Sequence, residues 1–190
     1  MSDLRMITDR SIADVNRLNA LAAIPYADMT EAQKAEWNGD LKGAYNASDL
    51  NRVESAVEYL GGVLRALPDD LKQYGAAQNV AWDKFFAPPY DAAKITPSVK
   101  TDWQASDIQT AQDMARYLDN VVLLRNALDY ATAALPSTME RLNWLGANAI
   151  EKVLVDLDDA VAKLRAQTQY YIDLTAQSWH YCGELYAGEV

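Results

Sequence analysis

The sequence predicts an all-α protein: a bundle of about six to eight helices in two similar halves, followed by a short extended or β-like C-terminal arm. Apolar residues recur at helical spacing over most of the 190 residues. Most of these apolar stripes begin just after a Ser, Thr or Asn that has an Asp, Glu or Gln three residues later, the pattern of a capping box. Prolines and glycines fall between the stripes, where helices end.

The first two helices have clear start signals. Ser11 opens a helix whose apolar positions continue to Leu21, and Pro25 closes it. Thr30 opens a shorter helix that ends by Gly39. In both cases an acid or amide three residues after the cap can accept from the backbone of the cap residue, so each start is a complete capping box.

The third helix begins at Asn46 and has the most regular stripe, formed by Leu50, Val53, Val57, Leu60 and Leu64. We expect Pro68 to end it and to start a further short helix that stops at Gly75. The pair Gly61-Gly62 either weakens the last turns or lets a neighbouring helix approach closely.

The chain divides into four segments within one compact domain. Residues 1–75 form the first helical half, and residues 76–107 form an irregular connection with three prolines. Residues 108–177 form the second half, with helices opened by Thr110 and Asn148, and residues 178–190 form the arm. The connection also carries aromatic residues that we expect to pack on the helices: Trp82, Phe85, Phe86 and Tyr90.

The helix starts resemble one another, which predicts a duplication. Segments 11–18 and 46–53 share the order small polar, x, x, Asp, aliphatic, Asn, Arg, aliphatic, and 110–117 keeps part of it. A weaker fourth copy near 146–153 aligns 100 residues after the second, although its cap and its stripe then disagree by two residues. The alternative is that capping boxes are common on unrelated helices. Asp49, Asn51, Arg52 and Glu54 are interpreted as cap and surface residues.

The charge distribution argues against nucleic-acid and membrane partners. The net charge is −10, and the 17 basic residues form no cluster that could neutralise phosphates or an anionic bilayer. A mimic of DNA is a less favoured explanation of the acidity. There is one cysteine, no signal-like apolar start and no stretch long enough to span a bilayer. We expect a protein of the bacterial host's cytoplasm that is not secreted by a signal peptide.

No catalytic, cofactor or metal motif is present, so we expect a non-enzymatic protein without cofactors. His180 is the only histidine, and with Cys182 it supplies too few ligands for a zinc site within one chain. The neighbouring acids Asp69-Asp70 and those at 156, 158 and 159 are interpreted as caps and solvated faces. A hydrolase using two carboxylates remains as a third hypothesis.

The C-terminal residues are the candidate interaction site. After Arg165 there is no Lys or Arg, while the chain gathers the aromatic residues Tyr170, Tyr171, Trp179, Tyr181 and Tyr186. Such a surface is costly to leave in water, so it either docks in an assembly or folds back onto its own helices. Five Trp and eleven Tyr across the chain also fit saccharide stacking, although packing at helix ends is favoured.

Four segments resemble uncharacterised proteins encoded by phages and prophages of gut Firmicutes: residues 42–53, 100–103, 146–153 and 181–189. The resemblance implies a virion-associated protein of the tail region and carries over no catalytic residues. We therefore expect a structural or assembly protein that ends in the virion and contacts other virion proteins or further copies of itself. The alternative is a helical module that binds saccharides of a cell wall.

Overall fold

A computed structural model describes residues 4–39, 41–76, 90–128 and 133–186. In these residues the chain forms five α-helices and no strand, so the all-α prediction is confirmed. The helices are α1 (Ile12–Ala22), α2 (Glu31–Trp37), α3 (Ala47–Ala76), α4 (Ala111–Ala127) and α5 (Trp144–Tyr186). Short 3-10 turns occupy Tyr26–Asp28 and Ala92–Lys94. The six to eight helices expected from the sequence exceed the number in this described part of the chain.

Four of the predicted helix starts are confirmed. Ser11, Thr30 and Thr110 each form a complete capping box with the side chain three residues later. At the start of α3 the Asn46 side chain accepts from the amide of Asp49 at 3.2 Å, and the Asp49 carboxylate accepts from the amide of Asn46 at 3.0 Å. These bonds satisfy amides that have no partner within the helix, which is why the starts are readable from sequence.

The predicted break at Pro68 is wrong, because α3 continues through it to Ala76. A proline inside a helix has no N–H, so the carbonyl four residues earlier loses its helical partner. Here that carbonyl belongs to Leu64, and the hydroxyl of Tyr90 donates to it. The connection thus supplies the missing donor, and no separate helix begins at Pro68. Of the other aromatic residues of the connection, those at 82, 85 and 86 lie outside the described residues.

The predicted helix start at Asn148 and the predicted extended arm are also wrong. The last helix begins at Trp144, and the side chain of Asn143 accepts from the amide of Gly146 at 2.9 Å. The helix then continues to Tyr186, beyond its expected end near Gln177 and through most of the segment 178–190. No proline interrupts this stretch, and a single internal glycine costs only about 1 kcal/mol. Residues 187–190 lie outside the described part.

Helices α3, α4 and α5 run parallel to one another. Along α3 and α5, Arg52 pairs with Glu151 near the start, and Asp70 pairs with Arg165 further on. Along α3 and α4, Arg116 pairs with Glu54, and the side chain of Leu124 lies beside Gly61. Parallel neighbours require the chain to return along the bundle between one helix and the next.

Two extended segments make contacts with these helices. The first strap, residues 4–10, lies on α5, and the second strap, residues 95–103, lies on α3. Both run antiparallel to the helix that they contact. Along the second strap, Ile95 accepts from Arg65, and Trp103 reaches Asn51 near the start of α3. The side chain of Pro97 lies so close to Gly61 that a Cβ there would be 2.8 Å from it.

One apolar core joins α3, α4 and α5. Its fully buried members include Leu60, Leu64, Val121, Leu124, Leu154 and Leu157. The two buried apolar residues of the α1–α2 region, Leu21 and Met29, are not part of this core. None of the described helices is both long and apolar enough to cross a membrane.

Candidate functional site

Two asparagines hold the straps through two-point hydrogen bonds. The Asn148 side chain accepts from the amide of Arg10 at 3.0 Å and donates to the Arg10 carbonyl at 2.8 Å. The Asn51 side chain accepts from the amide of Trp103 at 2.7 Å and donates to its carbonyl at 2.9 Å. An extended segment has no ladder of its own, so each amide side chain provides the backbone partners that a neighbouring strand would give.

A buried cluster of four charges lies where the first strap meets α3 and α5. The guanidinium of Arg10, whose side chain is only 2% exposed, donates to Asp49 and to Glu151, both at 2.7 Å. Arg52 donates to the same two carboxylates, with its Nε 3.1 Å from Glu151. The amide of Ile7 also donates to Glu151, at 2.5 Å. Two cations therefore neutralise two anions, and every carboxylate has several donors.

A pair of tyrosines lies beside this cluster. The hydroxyls of Tyr45 and Tyr117 lie 2.5 Å apart, and the Arg10 guanidinium lies 5.3 Å from the centre of the Tyr45 ring. Burial raises the pKa of both tyrosines well above the usual value, so both stay neutral. Burial lowers the pKa of Arg52, but its hydrogen bonds to Glu151 and Asp49 outweigh that effect and raise it.

A related arrangement surrounds Glu54 on α3. The amide of Lys100, three residues before Trp103, donates to this carboxylate. Arg116 of α4 binds both of its oxygens, at 2.8 and 3.0 Å. The same geometry links Ile7, three residues before Arg10, to Glu151. The pattern Asn-x-x-Glu therefore occurs at 51–54 and at 148–151, and each copy receives one strap.

A third asparagine makes the same kind of bond on α4. Asn120 accepts from the amide of Ser98 at 3.0 Å and donates to its carbonyl at 2.6 Å. The second strap is thus held on two helices, at Ser98 and at Trp103. This double attachment fixes the strap between α3 and α4.

Two open cavities lie at the surface of the described residues. One, of about 420 Å³, is lined by Arg10, Lys42, Tyr45 and Trp144 together with aliphatic side chains. The other, of about 410 Å³, lies beside α4 and includes Asp119 and Glu140 in its lining. Both of these acids are exposed to solvent. Neither cavity includes the buried carboxylates of Asp49, Glu54 or Glu151.

The structure places the predicted interaction residues in the C-terminal half of α5. Tyr170 is 61% exposed. Tyr171, Trp179, Tyr181 and Tyr186 belong to the same helix, and their side chains lie outside the described part. Asp69 and Asp70 lie inside α3 and not at a helix start, so their interpretation as caps is wrong. Asp70 pairs with Arg165, and Asp156 pairs with Lys152.

The interpretation of Asp49, Arg52 and Glu54 as cap and surface residues was incomplete. Asp49 does cap α3, but it is 4% exposed and belongs to the buried cluster, and Glu54 is 1% exposed. The signal that could have found Glu54 is the repeated Asn-x-x-Glu pattern, which does not include Asp49. The residues with equivalent contacts stand 97 apart, not the predicted 100. At this spacing the cap residues Asn46 and Asn143 also correspond, which removes the two-residue disagreement between cap and stripe.

The chain matches no family model, no curated protein and no solved structure. Among the described residues, no group of three or more His, Cys, Asp or Glu side chains is arranged to hold a metal ion.

Proposed function

We propose that the protein is a non-enzymatic structural or assembly protein of a phage or prophage particle. The observation that carries this proposal is the use of its buried charges. In the described part, the buried charged residues are Arg10, Asp49, Glu54 and Glu151. Each binds a segment distant in sequence, as Glu151 binds Ile7 across 144 positions. Charges used in this way fix chain segments to one another and do not face a substrate.

The place in a virion is supported by the resemblance of four segments to phage and prophage proteins of the tail region. The partners that this role implies are other virion proteins or further copies of the chain. Exposed aromatic residues support such contacts, because Tyr and Trp are frequent at protein interfaces. Tyr170 in the C-terminal half of α5 and Tyr26 beside α2 are both more than half exposed.

The same proposal includes a duplicated scaffold. Asn46, Asn51 and Glu54 of α3 correspond in position and in contacts to Asn143, Asn148 and Glu151 of α5. Apolar positions also correspond at this spacing, and the matched pairs are buried: Leu50 with Ala147, Val53 with Ile150, Val57 with Leu154, and Leu60 with Leu157. The two helices share the position of the cap, of the asparagine and glutamate that hold a strap, and of the buried apolar residues. This shared pattern supports an origin by duplication of one unit that consists of a helix and a strap.

Light scattering on the purified protein tests the assembly role. We expect a species larger than the 21.1 kDa chain, and we expect it to become smaller when residues 176–190 are removed. A Tyr170→Ser chain serves as a matched variant with the full helix. A strictly monomeric protein, with and without residues 176–190, would contradict assembly through this end of α5. Capsid and tail genes beside the coding sequence would separately support the virion role.

Binding of cell-wall saccharides is the second candidate. It is favoured by Trp37, which is 37% exposed, and by the exposed ring of Tyr26 in the same region. Trp103 is only 3% exposed and is therefore unavailable for stacking. A pull-down on purified cell walls, with Trp37→Ala as the control, tests this candidate. No retention of the original protein would remove it.

A further inference from the structure

We propose that the groove between α3 and α5 is a binding site for an extended segment, and that it accepts residues 4–10 of a second copy as well as those of its own chain. This inference rests on the proposed assembly role and adds a second surface, distinct from the C-terminal end of α5, through which copies join. The occupant is the first strap, and its arginine at position 10 is the residue that the groove recognises.

The groove recognises the strap through directed polar contacts. Asn148 binds both backbone groups of Arg10, and Glu151 accepts from the amide of Ile7. The guanidinium lies between Asp49 and Glu151 and also donates to the carbonyl of Ile7 at 2.6 Å. Backbone contacts fix an extended conformation, and the buried guanidinium selects an arginine.

Charge makes the empty groove complementary to a cationic side chain. Without Arg10, the carboxylates of Asp49 and Glu151 would share only Arg52, and one buried negative charge would remain. An unpaired buried charge is strongly unfavourable. A strap from any copy that delivers an arginine would restore the balance of two cations and two anions.

Residues 4–39 comprise the first strap, α1 and α2. They are attached to the bundle of α3, α4 and α5 mainly through the strap. Strap residues such as Met6 pack against the main core, whereas the buried residues of the α1–α2 region, Leu21 and Met29, lie outside it. Between Asp9 and Lys42 there is an ion pair, and it is largely exposed. Exposed pairs contribute little to stability. Residues 4–39 can therefore be supplied by another chain without rebuilding the core.

The chain already exchanges straps between its own halves. The first strap precedes α1 in the first half and lies on α5 of the second half. The second strap precedes α4 in the second half and lies on α3 of the first half. An exchange between two chains would remake the same contacts, which is the condition under which swapping an element between copies has a low cost.

A peptide experiment tests the groove directly. The variant Arg10→Ala, as a full chain, has an intact groove and a defective strap. We expect a peptide of residues 4–12 to raise its Tm or, if the variant is unfolded alone, to restore its helical circular dichroism. The Arg10→Ala peptide should bind roughly 10–100-fold more weakly, since it lacks the charged hydrogen bonds. The Asp9→Ala peptide should bind as well as the original, because Asp9 is exposed. Absence of any response to the original peptide would overturn the site.

Mixing two variants tests the second copy. Arg10→Ala chains offer an intact groove, and Asn148→Ala chains offer an intact strap. We expect their mixture, after mild denaturation and refolding, to contain a dimer of twice 21.1 kDa that neither variant forms alone. Peptide binding with a strictly monomeric mixture would overturn the exchange between copies. If neither peptide binding nor mixed dimers occur while the original protein still assembles, this inference fails and the proposed function stands.

Discussion

Asn51 of α3 and Asn148 of α5 occupy the same position relative to their helix starts and make the same two-point hydrogen bond to a strap residue. Each stands five residues after the asparagine that caps its helix, Asn46 or Asn143. Each is followed three residues later by a buried glutamate that accepts from the strap backbone. In both places, therefore, a capped helix holds an extended segment through one asparagine and one glutamate.

Replacing either asparagine should destabilise the protein to a similar degree. Asn148→Ala and Asn51→Ala each remove two hydrogen bonds and leave a strap amide and carbonyl without partners. We expect the free energy of unfolding to fall by about 2–4 kcal/mol, measured by urea denaturation. Asn16 provides the control, since it also stands five residues after a cap, Ser11, but is exposed. Asn16→Ala should change the free energy by less than about 0.5 kcal/mol. Equal effects at all three positions would contradict the role of the straps.

These contacts explain which features could be predicted from the sequence. A capping box joins residues three apart, so the starts at Ser11, Thr30 and Thr110 follow from local pattern alone. The partners of Glu54 are 46 and 62 positions away, and a helical stripe alone does not reveal them. The sequence pattern therefore predicts a surface position for Glu54. The same limit applies at Pro68, because continuation of α3 depends on the hydroxyl of Tyr90, which lies 26 positions after Leu64, the residue whose carbonyl it binds.

The adjacent glycines of α3 should respond in opposite directions to alanine. A Cβ at Gly61 would lie 2.8 Å from Cγ of Pro97, whereas a Cβ at Gly62 would meet nothing within 4 Å. Gly62→Ala should raise the free energy of unfolding by about 0.5–1 kcal/mol, because alanine is the better helix former. Gly61→Ala should lower it by about 1–3 kcal/mol, because the second strap must move. Thermal and urea unfolding of the two variants checks this, and a gain at both positions would contradict the close approach of Pro97.

The hydroxyl of Tyr90 and the ring of Pro68 should be energetically coupled. Burial raises the pKa of Tyr90 to about 12, so its hydroxyl remains a donor at neutral pH. Tyr90→Phe leaves the carbonyl of Leu64 without a partner and should cost about 1–2 kcal/mol. Pro68→Ala restores a helical N–H for that carbonyl and should stabilise α3 by about 1–3 kcal/mol.

A double-mutant cycle measures this coupling. In the Pro68→Ala background, Tyr90→Phe should cost less than half of its effect in the original chain, because the carbonyl then has a second donor. The measurement is the free energy of unfolding in urea of the original chain, the two single variants and the double variant. Additive effects would mean that Tyr90 does not compensate for the proline.

Acidification should weaken the helix starts and the surface pairing of α1 with α2. A hydrogen bond from Thr110 lowers the pKa of Asp113, and the bond from Arg17 lowers the pKa of Glu36, from usual values of 3.8 and 4.5. A lowered folded-state pKa means that the stabilisation is complete above the unfolded-state value and is lost as the pH falls through the folded-state value. The loss should therefore begin below about pH 4.5 and deepen below 3.8.

The comparison of Asp113→Asn, Glu36→Gln and the double variant tests this assignment. Each variant should be less stable than the original at pH 6, and each should lose less stability between pH 6 and pH 3, because one titrating group has been removed. Since Glu36 and Arg17 are both accessible to solvent, added salt should reduce the Glu36 contribution by screening its ion pair with Arg17. The Thr110–Asp113 capping box rests on short-range hydrogen bonds and should respond less to salt. An acid-induced loss of Tm that is unchanged in the double variant would assign the pH dependence to other carboxylates.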